Sequence, residues 1–129
     1  MKLNTLLSIY AVVGAIFCIG LLLAPAFWIT LYGATADTQA TVLLRLVGAL
    51  SGGIGVMAWR ARNAEDSASR DAMILGFVVL NGLAALVSVL GALSGVYNQF
   101  AWGPVATYSV FTLAFIWVGR TGGSGAVPR

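Results

Sequence analysis

Histidine is absent from this 129-residue chain, cysteine occurs once, and charged residues make up only 9% of it. Each shortage excludes something. With Cys18 alone and no histidine, an intramolecular disulfide cannot form and a zinc or haem site lacks its usual ligands. Cys18 sits in an apolar run and reads as a small buried residue. A soluble domain carries about 25% charged residues. This chain has too few to cover a globular surface, which points to a membrane. Its formal charge of +3 comes from seven basic against four acidic residues, with no basic tract to meet a nucleic acid.

The long apolar runs also lack aspartate, glutamate and lysine. Proton-coupled transport relies on an ionisable group inside the membrane, typically a carboxylate. Hydrolysis or group transfer needs a nucleophile with a base beside it. Ser51, Ser88, Tyr108 and Thr112 have no histidine, lysine or carboxylate in the spans to activate them. No glycine-rich loop ends in the lysine of a phosphate-binding motif, since the glycines of 48–55 lie inside an apolar run. An enzyme is therefore not expected, and no catalytic residue, cofactor or metal is assigned.

What the chain does have is 60% hydrophobic residues and a mean hydropathy of +0.94. About 20 apolar helical residues cross a ~30 Å hydrocarbon layer, and four runs qualify: 6–24, 40–59, 72–93 and 101–119. They lack period-2 alternation and exceed the length of barrel strands, so they read as helices. The expected fold is an all-α integral membrane protein, a four-transmembrane-helix bundle forming one domain over 1–121. The tail GGSGAVPR, at 122–129, resembles a linker with a protease-site remnant and is set aside. The pentapeptide GALSG recurs at 48–52 and 91–95 without extending into its surroundings, so it is read as chance.

Basic residues outside the spans set the orientation. Lys2, Arg60, Arg62, Arg70 and Arg120 fall on one side, whereas the other side has Asp37 and no Lys or Arg. Both termini are therefore expected in the cytoplasm. Pro25 ends the first span, and Trp28, Tyr32, Tyr97 and Trp102 fit interfacial anchors at headgroup depth. The Ala24-Pro25-Ala26 triplet resembles a signal-peptidase site, but the run before it is span-length, so cleavage is the lesser reading. Asp37 is placed to cap the second span.

That span, VLLRLVGALSGGIGVMAWR at 42–60, pairs an expensive arginine with four glycines. Arg45, Gly48, Gly52, Gly55 and Trp59 are spaced 3, 4, 3 and 4 apart, which aligns them on one helix stripe. Small side chains let helix backbones approach closely in lipid. The third span has a comparable face of Asn81, Ala84, Ala85, Ser88, Gly91 and Ala92, and reads as the other half of a close pair. In the fourth, Tyr108, Thr112 and Phe115 fall together. A rise of ~1.5 Å per residue puts Arg45, Tyr108 and Ser88 at similar depth in the outer half, with Asn81 nearer the midplane. The packing set is therefore Gly48, Gly52, Gly55, Ala84 and Gly91. The candidate ligand set is Arg45, Asn81, Ser88, Tyr108 and Thr112.

Each has a plainer alternative. Arg45 could snorkel to headgroups, Asn81 could make an interhelical hydrogen bond, and Asn98–Gln99 could be a polar turn. The leading functional expectation is a binding or accessory protein. It would hold a membrane lipid or small amphiphile in an outer-half groove between spans two, three and four, with Arg45 on an anionic group. Two alternatives stay open: a channel or facilitator for a small solute or anion, opposed by Met57 and Trp59 closing the inner half, and a structural subunit of a membrane complex. Assembly with itself or with another membrane protein is expected.

PAFWITLYG, RLVGALSGGIGVMAWRAR, the Asn81-Gly82 pair and SGVYNQFAWG together resemble a group of small, uncharacterised bacterial four-span proteins, loosely DoxX-like, over residues 3–120. The resemblance implies a multi-pass protein of the bacterial inner (plasma) membrane with no assigned activity. The paired-phenylalanine motif of fluoride channels and the first-span glutamate of small multidrug exporters are both missing.

Overall fold

The computed structural model describes residues 2–122 and is helical in all its regular elements. In order these are α1 (Leu3–Leu23), α2 (Pro25–Leu31), α3 (Thr38–Ala61), α4 (Ala68–Leu93), a 3-10 turn (Gln99–Ala101) and α5 (Trp102–Gly122). All four long helices are long and apolar enough to cross a membrane. Residues 123–129 of the tail set aside above lie outside the described residues, and Gly122 is the last residue of α5.

Local chemistry explains the boundaries. Ala24 leaves helical geometry (φ −130°, ψ 51°) before Pro25, whose missing N–H suits it to start α2. The Asp37 side chain accepts from Ala40 N at 2.7 Å and so caps α3. Ser67 caps α4 by accepting from Arg70 N at 3.3 Å, which starts that helix four residues before the apolar run at 72. Gly33, at φ 80°, makes the turn out of α2.

The long helices alternate in direction, so the start of α1, the end of α5 and the α3–α4 loop share one end of the bundle, here the terminal end. The two other connectors form the distal end. Packing is in pairs. Helix α3 lies antiparallel on α1, α5 lies antiparallel on α4, α1 meets α5, and α3 makes few contacts with α4. The glycine stripe of α3 is thus filled by α1, not by α4 as its composition suggested. A Cβ on Gly48 would stand 2.9 Å from Leu21 Cβ, and one on Gly55 3.2 Å from the Ala11 carbonyl oxygen. The approach is mutual, since a Cβ on Gly14 of α1 would meet the Ser51 carbonyl oxygen at 3.0 Å. Among the α4 packing candidates, Ala84 is half-buried beside a cavity, and Gly91 faces the Tyr97 ring.

The core occupies the terminal half. Tyr10 is its hub, with ring centroids 5.1 Å from Phe77, 4.7 Å from Phe111 and 5.1 Å from Phe115, all edge-on. Edge-to-face packing suits the quadrupoles of these rings. Leu6, Leu7, Ala58, Ile74 and Val118 complete the layer. Beneath it, buried Arg70 donates to the Ala61 carbonyl (3.2 Å), Asn4 Oδ1 (2.8 Å) and Asp66, tying α4 to α3 and α1. Arg62 stacks on the Trp59 ring, its guanidinium carbon 3.2 Å from the centroid.

Candidate functional site

Paired packing leaves α3 and α4 facing one another across a gap. On the distal side of the aromatic layer this gap widens into two adjoining chambers. The deeper chamber, about 190 Å³, has Tyr10, Ser51, Asn81, Ala84, Thr107 and Tyr108 among its walls. The shallower, about 480 Å³, is lined by Tyr32, Leu43, Val87, Ser88, Gly91 and Tyr97 among others. Val47 lines both. Leu43 and Leu50 of α3 and Leu80 and Val87 of α4 line them too, yet all four are exposed on the bundle flank. The recess therefore opens sideways between α3 and α4 as well as distally.

Two connectors shape its mouth. The Asn98 side-chain amide donates to the Leu31 carbonyl (2.8 Å), its backbone N–H to the Tyr32 carbonyl (3.0 Å), and its Oδ1 accepts from Phe100 N (3.0 Å). One asparagine thus staples the two distal connectors together, more than the polar turn its sequence suggested. The staple ties Tyr32 to the connector that carries Tyr97, and both tyrosines line the shallower chamber. Burial raises the Tyr32 phenol above its usual pKa, and nearby Tyr108 adds to the effect.

The floor is a polar pair set in the aromatic layer. Asn81 has no exposed surface. Its amide nitrogen donates to Tyr10 Oη and to the Phe77 carbonyl, both at 2.7 Å. The Phe77 carbonyl fixes the amide orientation, because a flipped amide would set oxygen against oxygen. Asn81 Oδ1 is consequently left buried with no partner among the described residues. Ser51 and Thr107 satisfy their hydroxyl protons on the Val47 and Gly103 carbonyls of their own helices (2.8 and 3.0 Å).

No family model, curated protein or solved structure matches this chain. The site is therefore read from its own geometry.

Of the five expected ligand residues, Asn81 and Tyr108 share the deeper chamber and Ser88 lines the shallower. The other two are elsewhere. Thr112 donates to the Tyr108 carbonyl (2.8 Å) and abuts Gly82, on the seam between α4 and α5. Arg45 is exposed, lines neither chamber and makes no hydrogen bond or ion pair among the described residues. The reason is the length of α1: Gly48 already meets Leu21 and Leu22, the last turn of that helix, so Arg45 one turn farther on lies beyond its end. Met57 and Trp59 likewise face outward, each 47% exposed, and the aromatic layer closes the bundle in their place. Among the aromatic anchors, Trp28 folds back on α1 beside Gly20 and Phe17, Trp102 stays exposed, and Tyr32 and Tyr97 line the recess.

Tyr10 was the residue missed by sequence reasoning. Its signal was available: it is the lone tyrosine of the first, charge-free span, and a buried phenol needs a partner for its hydroxyl.

Proposed function

We propose that this is a binding or accessory protein of the bacterial inner membrane, with both termini in the cytoplasm, that holds the apolar chain of a lipid or small amphiphile between α3 and α4. The observation carrying this reading is the blind, side-opening recess. Its walls are mostly aliphatic, and its mouth has the tyrosines suited to headgroup depth. A gap of this kind in a bilayer costs packing contacts unless something fills it. An acyl or similar chain can slide in between α3 and α4 without crossing a polar barrier. The closed aromatic layer below disfavours a channel, because a solute would have to part Tyr10, Phe77, Phe111 and Phe115. Arg45, standing outside the recess, suits a snorkelling role at the headgroups of surrounding lipid.

Native mass spectrometry of protein purified in mild detergent tests the proposal. Ala84→Phe fills the deeper chamber and should remove a co-purified amphiphile that the wild type retains. Equal retention by both proteins, or none by either, would count against a binding role.

A further inference from the structure

The floor of the recess makes a demand that an all-hydrocarbon guest cannot meet. Asn81 Oδ1 is a fully buried acceptor with no donor among the described residues. The Tyr10 hydroxyl accepts from Asn81, but its own O–H finds no acceptor among the described residues. The Tyr108 hydroxyl, on the same chamber, makes no hydrogen bond among them either. An unpaired buried polar group costs free energy comparable to the hydrogen bond it lacks. Asn81, Tyr10 and Tyr108 all line the deeper chamber, so its wall carries one unpaired buried acceptor and two phenolic hydroxyls.

We infer that the deeper chamber binds the hydroxyl end of a neutral amphiphile, a long-chain or ring-bearing alcohol, with its O–H donated to Asn81 Oδ1 and its oxygen accepting from Tyr10 or Tyr108. This rests on the chain-binding role proposed above and specifies the chemical class of the guest. A hydroxyl is the smallest group that donates and accepts at once. A carboxylate or phosphate ester anion has no proton for Asn81 Oδ1. Nor does any lysine or arginine line either chamber to offset its burial. An ammonium would enter equally uncompensated, since no acidic residue lines them. The chamber, at about 190 Å³, exceeds the ~150 Å³ apolar cavity known to admit benzene, so a ring or short chain segment fits with the hydroxyl.

Equilibrium binding of tritiated 1-dodecanol to the protein in phosphatidylcholine nanodiscs, with empty nanodiscs subtracted, provides the test. Unlabelled 1-dodecanol, 1-chlorododecane and dodecanoate serve as competitors. The alcohol should displace the probe about tenfold better than the chloride, the effect of one to two hydrogen bonds. Dodecanoate should be the weakest. Asn81→Leu, which removes the acceptor but keeps both phenols, and Tyr10→Phe, which keeps Asn81 Oδ1, should each narrow the ratio without abolishing it. Parity in the wild type would overturn the hydroxyl assignment and leave chain binding standing, with water as the partner of the floor. Absence of saturable binding by any probe would overturn both.

Discussion

The contact between Gly52 of α3 and Cys18 of α1 offers a quantitative test of how the glycine stripe is filled. A Cβ at position 52 would lie 2.6 Å from Cys18 Sγ and 3.3 Å from Cys18 Cβ. Comfortable non-bonded separation for carbon is about 3.5–4.0 Å, so the sulfur must yield by about 1 Å. Overpacking of this kind costs typically 1–3 kcal/mol. A sulfur on a single rotatable bond gives way more readily than backbone, so Gly52→Ala should lose about 1–2 kcal/mol. Cys18→Ala removes one heavy atom and a handful of contacts at ~0.1–0.2 kcal/mol each, a loss below about 1 kcal/mol. Combined, the substitutions exchange one small pair for another, and the double variant should return to within about 0.5 kcal/mol of wild type. The expected coupling is therefore about 1–2 kcal/mol in the rescuing direction. Reversible unfolding in mixed dodecylmaltoside–SDS micelles, followed by far-UV circular dichroism, reads it. Gly53→Ala, with nothing within 4 Å of the added carbon, is the control and should stay within about 0.5 kcal/mol. Additive single effects, within about 0.5 kcal/mol, would show that α1 and α3 do not meet at this point.

Other positions carry their own expectations. Arg70→Met should destabilise the bundle by about 2–3 kcal/mol in the same unfolding assay, because the Ala61 carbonyl and Asn4 lose a charged donor. Phe115→Ala, at a residue with no exposed surface, should cost about 3 kcal/mol, whereas Leu113→Ala, two residues away and 67% exposed, should cost less than about 0.5 kcal/mol. Arg45→Ala should leave both stability and retained amphiphile at wild-type levels by unfolding and native mass spectrometry, and loss of the amphiphile would bring Arg45 back into the site.

The helices themselves were legible because their causes are local. Uninterrupted apolar runs, Pro25 after the first span and Asp37 before α3 mark elements whose ends the structure moves by only a few residues. The largest shift, at the start of α4, arises where Ser67 caps a turn containing Arg70 and Asp71, too polar to count in an apolar run. Partner choice was not local. Composition marks small-residue faces on both α3 and α4, and nothing in either says that α1 has Gly14 and Ala11 to match the stripe. The 3-4-3-4 spacing aligns Arg45 with the glycines, but a stripe is buried only as far as its partner helix extends, and α1 stops at Leu23. Asn81 stood out as polar residues in spans do. Its bond to Tyr10, 71 positions away, required the fold.

Chain occupancy of the recess between α3 and α4 is tested most directly by photocrosslinking in a bilayer. Phospholipid bearing a diazirine near the end of one acyl chain is irradiated with the protein, and the adducts are mapped by mass spectrometry. Adducts should concentrate on Val47, Leu50, Leu80 and Ala84, in excess of those on outward residues such as Val56 and Leu83. Adducts confined to the outward faces, with the recess unlabelled, would contradict a chain-binding site.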